Sequence, residues 1–194
     1  MIAFNQQERA QIQQALKREA RKCAIALGMR RTTVSQLAQA ADISTGAFYS
    51  FYPTKELLFF ELLEDLHAEI YQASLDELTA NAALPPAERA ASAVLAACRT
   101  METSGMMDFM ERDVQLILRK IPKDVQETHY HSDEAHIREL LQTANLRPTG
   151  GIALAAATVR GLFLTISHRE DIGEMYTQVL ETLVHGACDV LFSA

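Results

Sequence analysis

The chain has 194 residues, 48% of them hydrophobic and 22% charged, with no tryptophan and a formal net charge of -7, so it reads as globular, with material for one or two domains around a substantial core. Its three cysteines, Cys23, Cys98 and Cys188, are odd in number and lie outside any Cys-x-x-Cys or Cys/His pattern, which argues against a disulfide scaffold or a zinc site. No charged-then-apolar leader opens the chain, and the most apolar later stretch, 152–166, is interrupted by Thr158, Arg160 and Thr165, so a cytoplasmic chain without a membrane span is expected.

Residues 5–27 form the first predicted helix, with Ile12, Leu16, Ala20, Cys23 and Leu27 as its apolar stripe and Gly28 as its C-terminal cap. Thr33 then stands as an N-cap, with Gln36 three residues on completing a capping box. Val34, Leu37, Ala38 and Ala41 recur at helical spacing until Asp42, where the chain must turn. Ser44 caps a second short helix that buries Phe48 and Tyr52 and turns Thr45, Tyr49 and Ser50 outward. Two short helices joined by a tight turn form a helix-turn-helix, whose second helix enters the DNA major groove. Gly46 lets that helix approach the duplex closely.

Charge is divided to match. Through Lys55, eight Lys/Arg stand against Glu8, Glu19 and Asp42, a balance of +5; the remainder, ten against 22, stands at -12. A basic head can track phosphates while an acidic body is repelled by the duplex.

Pro53 and Thr54 open a long helix to about residue 79, roughly 40 Å at about 1.5 Å per residue. Its middle carries Leu62, Leu66, His67 and Ile70. The run NAALPP at 81–86 breaks the chain. A helix follows over 87–103, and another runs from Gly105 to Pro122. Met101, Met106 and Met110 cluster here, and methionine adapts to irregular spaces, so with the long helix and Phe163 they form a candidate lining for an apolar or aromatic effector, with His67 as a polar contact. The helix over 123–144 contains His129, His131, Asp133 and His136, which have metal-donor side chains at a spacing poorly suited to one helical face. The last two helices are the most regular: Ile152, Ala156, Val159, Phe163 and Ile166 make one stripe, and Tyr176, Val179, Leu180, Leu183, Val184 and Ala187 begin another that continues to the end of the chain.

The residues Gly28, Thr32-Thr33-Val34, Leu37-Ala38, Ala40-Ala41, Ile43-Ser44, Gly46, Tyr49 and Pro53-Thr54-Lys55-Glu56-Leu57 resemble the N-terminal signature of the tetracycline-repressor (TetR) family of transcriptional regulators. The resemblance covers about the first third of the chain. It implies that Thr33, Thr45, Gly46, Tyr49, Ser50, Phe51 and Lys55 meet DNA, mostly at its backbone; Ser44, as the cap of the second helix, is expected to meet it beside them. It also implies a two-fold dimer interface on the last two helices, through Val159, Phe163, Tyr176, Val179, Leu180, Leu183, Val184 and Ala187. The chain departs from the family's usual pattern at Asp42, where a turn glycine is common, and at Phe51, where tyrosine is common.

The expected architecture is all-α: a three-helix helix-turn-helix domain over 1–52 and a larger helical domain over 53–194 that dimerises and binds an effector. The expected function is that of a homodimeric repressor released from a palindromic operator by a small apolar or aromatic molecule. No enzymatic activity, cofactor or metal is implied. The rivals are an all-helical metal-dependent enzyme using His129, His131 and His136, and an architectural DNA-binding dimer with no effector.

Overall fold

Asn5 starts the first helix by a capping box: its Oδ1 accepts from the Glu8 amide at 2.9 Å, and Glu8 Oε2 accepts from the Asn5 amide at 2.7 Å. Helix α1, Gln6–Ala26, buries Leu16, Ala20, Cys23 and Ala24 along one face. It ends where Gly28 adopts φ 76°, a left-handed conformation that glycine takes without a Cβ clash. The computed structural model describes residues 4–193, excepting the side chains of residues 128–134. All regular structure among the described residues is helical.

Among the described residues ten further helices follow: α2 Val34–Ala40, α3 Thr45–Phe48, α4 Lys55–Ala80, α5 Pro86–Thr103, α6 Met107–Arg112, α7 Val114–Leu118, α8 Lys123–Thr143, α9 Gly151–Ile166, α10 Arg169–Ile172 and α11 Tyr176–Phe192, with a 3-10 turn at Gly173–Met175. The single helix expected between Gly105 and Pro122 is broken at Asp113, which ends α6 and starts α7. The expected pair of C-terminal helices is likewise separated by the short α10 and the 3-10 turn.

By packing, the chain divides into two compact units, Met1–Leu66 with Gly105–Lys123, and His67–Ser104 with Asp124–Ala194. The boundary expected at residues 52/53 therefore does not coincide with a packing boundary. Helix α4 gives its first half to one unit and its second half to the other, and the segment carrying α6 and α7 packs with the N-terminal helices.

In the first unit the core is aromatic and aliphatic: Phe48, Leu58, Phe59 and Phe109 are fully buried, with the Phe59 and Phe109 rings 6.0 Å apart. Polar side chains fix α1 against the start of α4. Lys17 Nζ lies 3.1 Å from Glu61 Oε1 and 2.6 Å from Asp65 Oδ2, and the Tyr52 hydroxyl donates to Glu61 Oε2 at 2.5 Å. Burial, reinforced by that bond to Glu61, pushes the Tyr52 hydroxyl well above its ordinary pKa, so it remains a donor.

In the second unit α11 packs chiefly on α5 and then on α9. Alanines at 93, 96 and 97 of α5 allow close approach, and α11 presents Leu180, Val184, Cys188 and Leu191. Ser74 Oγ donates to the Ala93 carbonyl at 3.3 Å, and the Arg89 guanidinium reaches the carbonyls of Leu78 and Ala144 at 2.8 and 2.9 Å. All three cysteines are reduced and buried; burial pushes the Cys98 thiol up to about 12 and Cys188 to about 11, which keeps both protonated and unreactive. No single helix among the described residues is long and apolar enough to cross a membrane.

Candidate nucleic-acid interface

The reading unit is assembled by local bonds. Thr33 Oγ1 accepts from the Gln36 amide at 3.2 Å while Gln36 Oε1 accepts from the Thr33 amide at 2.8 Å, so both ends of the expected capping box form. Asp42 takes φ 55°, a left-handed conformation that aspartate tolerates better than most residues, and this lets the chain reverse where a turn glycine would otherwise serve. The Ile43 amide then bonds back to the Ala38 carbonyl at 3.0 Å. Ser44 Oγ accepts from the Ala47 amide at 3.1 Å and starts α3.

Helix α3 is only four residues long. Tyr49, Ser50 and Phe51 lie in the turn that follows it, held by bonds from the Ser50 amide to Ala47 and from the Phe51 and Tyr52 amides to Phe48. Phe48 is buried and Tyr49 is 53% exposed, its ring set edge-on to Phe48 at 5.5 Å. Thr33, Ser44, Thr45, Gly46 and Ser50 are exposed with it. A Cβ placed on Gly46 would meet nothing nearer than Ser44 Oγ at 3.9 Å. Nothing in the packing around Gly46 requires glycine there.

Two of the residues expected to meet DNA are engaged within the protein. Lys55 Nζ donates to the carbonyls of Met29 and Thr32 at 2.9 and 2.7 Å, which occupies two of its three donors. The Phe51 ring is half-buried, with the Arg9 guanidinium 4.5 Å above it and the Phe4 ring 5.7 Å away. Arg9 also donates to the Ser50 carbonyl at 3.0 Å. Arg9 thus stands beside the turn after α3, a placement that the periodicity of α1 does not signal. On the other side, Arg30 and Arg31 are exposed just before the Thr33 cap, Arg31 bonded to the Leu27 carbonyl at 2.8 Å.

The expected effector residues fall in both units. Leu62, Leu66 and Met106 are buried and Met110 half-buried in the first; Ile70 and Met101 are buried, and His67 and Phe163 half-buried, in the second. His67 meets the Tyr71 ring edge-on at 6.4 Å, and Tyr71 in turn lies 4.5 Å from the His136 ring.

Of the expected dimer residues, Leu180 and Val184 face inward; Val159, Phe163, Tyr176, Val179 and Ala187 are half-buried, and Leu183 is 43% exposed. Leu154 and Leu164 on α9 and Val190 on α11 are also exposed, Val190 at 71%. Of the residues considered for metal, the side chains of His129, His131 and Asp133 lie outside the described residues. Among the described residues no group of three His, Cys, Asp or Glu side chains is placed to hold a metal ion.

Residues 18–62 match the family described as "Bacterial regulatory proteins, tetR family". No curated protein matches the chain. Among solved structures the chain is similar in fold to a TetR-family transcriptional regulator from Mesorhizobium loti, with 15% identity, a TM-score of 0.67 and coverage of 93% of this chain and 95% of that one. It is similar also to NalD of Pseudomonas aeruginosa, the secondary repressor of the MexAB-OprM multidrug efflux pump, with 18% identity, a TM-score of 0.62 and coverage of 97% and 99%. A third similar structure is RolR in complex with resorcinol, with 20% identity, a TM-score of 0.58 and coverage of 94% and 90%.

Proposed function

We propose that this chain is a DNA-binding transcriptional regulator of the TetR family, acting in the cytoplasm as a homodimeric repressor released from a palindromic operator by a small apolar or aromatic effector. The observation that carries the proposal is the exposed set Thr45, Gly46 and Tyr49 on a capped helix-turn-helix, with a glycine that the fold itself does not need. Tyr49 supplies a hydroxyl and a ring face, Thr33, Ser44, Thr45 and Ser50 supply short exposed hydroxyls of the kind that bond phosphate oxygens, and the arginines at 30 and 31 supply charge. Lys55 has one donor left for a phosphate beside the two on carbonyls. The assignment of Phe51 as a contact has less support, since its ring already serves Arg9.

A palindromic site requires two reading units. The apolar side chains left exposed on α9 and α11, Leu154, Leu164, Leu183 and Val190, favour a second copy as their cover, with the two heads meeting half-sites about 34–36 Å apart. For the effector, the resorcinol held by RolR is a small aromatic molecule. Ile70, Met101 and Phe163 of the second unit, with His67 as the polar contact, suit that chemistry. An effector acts only through different affinities for the DNA-competent and incompetent arrangements, and coupling of about 1–3 kcal/mol corresponds to roughly 5–150-fold release.

Selection of bound duplexes from a random DNA pool by the purified protein tests the central reading. An enriched inverted repeat is expected, and the absence of enrichment overturns it. On the enriched duplex, Tyr49→Ala should weaken binding by about 1–3 kcal/mol, measured by fluorescence anisotropy, because Tyr49 is the largest side chain that the reading unit exposes. Full affinity in that variant would remove Tyr49 from the contact set. Thermal-shift screening with phenolic and other aromatic compounds, each hit then titrated against the bound duplex, tests the effector.

A further inference from the structure

The loop between α1 and α2 is fixed by a residue from a distant part of the chain. Asp113, 2% exposed, accepts from the Met29 amide through Oδ2 at 2.6 Å. A short bond to a charged acceptor is among the stronger hydrogen bonds of a protein. The rest of the loop is arranged around it: Gly28 takes φ 76°, the Thr32 hydroxyl donates back to the Gly28 carbonyl at 2.9 Å, and the Met29 side chain is itself buried. The space is closed as well, because a Cβ on Gly28 would stand 2.8 Å from Asp113 Oδ2.

Asp113 is held from its own side. It sits at the break between α6 and α7, with its amide bonded to the Phe109 carbonyl at 2.9 Å and its carbonyl accepting from the Leu116 and Ile117 amides at 3.0 and 2.9 Å. Phe109 is fully buried against Phe59. A second tie lies nearby in the sequence: Lys120 Nζ bonds to the largely buried Glu56 at 2.9 Å. Residues 105–123 belong to the same compact unit as the helix-turn-helix.

We propose that Asp113 is a positioning residue for DNA recognition: by holding the Met29 amide it fixes loop 28–32, and with it the direction in which α2 and α3 present their exposed residues. Thr33, which caps α2, follows this loop directly, so a change in the Met29 peptide is passed to the first residue of the reading unit. A displacement of the 105–123 segment then loosens the reading unit without touching any residue that meets DNA. The proposal rests on the DNA-binding reading above.

The test compares wild type, Asp113→Ala, Asp113→Asn and Gly28→Ala. DNA binding is measured on the duplex that wild type selects from a random pool and on a scrambled duplex of the same length, and Met29 amide exchange is followed by NMR. Asp113→Ala should weaken binding to the selected duplex by about tenfold or more, the loss expected for a hydrogen bond to a charged group. It should leave the scrambled duplex nearly unaffected and accelerate exchange at Met29. Asp113→Asn keeps an acceptor oxygen on the same stem and should restore most of both readouts. Gly28→Ala, which crowds the carboxylate from the other side, should behave as Asp113→Ala does.

Full affinity for the selected duplex in folded Asp113→Ala overturns the proposal, and so does an equal loss on both duplexes, which would mark a role in stability alone. If Asp113→Ala does not fold, Gly28→Ala decides by the same two criteria. If wild type selects no duplex, the regulator reading fails, while Met29 exchange still reads the clamp: exchange in Asp113→Ala or Gly28→Ala equal to that of wild type overturns it.

Discussion

Leu183→Glu is expected to convert the proposed homodimer into a folded monomer and to abolish DNA binding with it. Leu183 is 43% exposed in the isolated chain, so a glutamate there can stay hydrated and should cost the protomer little. In a two-fold interface the same position occurs twice, and each copy would bury an uncompensated charge among leucines and valines, a cost of about 3–5 kcal/mol. The dimer dissociation constant should rise by two orders of magnitude or more, since each 1.4 kcal/mol is about tenfold. Light scattering after size exclusion should give the monomer mass, circular dichroism should remain helical, and the selected duplex should no longer shift. A folded, dimeric Leu183→Glu protein would place the interface elsewhere.

Phe48→Ala should have the opposite signature, losing the reading unit and keeping the dimer. Phe48 is fully buried and in ring contact with Tyr49 and Tyr52 at 5.5 and 6.0 Å. Truncating such a side chain costs about 3–5 kcal/mol. Helix α3 has four residues, far too few to persist without tertiary packing. Hydrogen exchange should therefore accelerate across residues 34–52 while α5 and α11 stay protected, and the variant should remain a dimer that does not bind DNA. Loss of protection in α11 as well would show that the two compact units unfold together.

The reading unit was legible in the sequence because its determinants are local. The capping box of Thr33 with Gln36, the left-handed Asp42, the Ser44 cap and the burial of Phe48 and Tyr52 each involve residues within a few positions of one another. The resemblance of residues 18–62 to the TetR family adds expected contacts that periodicity does not supply. What escaped involves long separations. The bond from Met29 to Asp113 joins positions 84 apart, and nothing in the run ERDVQLIL distinguishes an aspartate that stays hydrated from one that is buried and breaks a helix. Arg9 over Phe51 and Lys55 on the Met29 and Thr32 carbonyls are of the same kind: side chains that look available on a helical wheel and are committed once the helices pack. The end of α3 at Phe48 is hidden for a different reason, since the residues after Phe48 keep turning and only their hydrogen bonds distinguish a turn from a further helical turn.

The open space around Gly46 sets stability against function at a single position. A glycine in the interior of a helix forgoes roughly 1 kcal/mol relative to alanine, and beyond its chain neighbours and its own helix backbone the nearest atom to a Cβ at Gly46, Ser44 Oγ at 3.9 Å, leaves room for a methyl group. Gly46→Ala should therefore raise the melting temperature of the free protein while weakening its grip on DNA, the reverse of the usual damage done by mutation. A laboratory evolution campaign scored on heat resistance alone would collect this substitution early and return a sturdier protein that no longer regulates. Scored on both properties, the same position becomes a dial, since alanine, serine and valine add bulk in steps on the side where the duplex would lie.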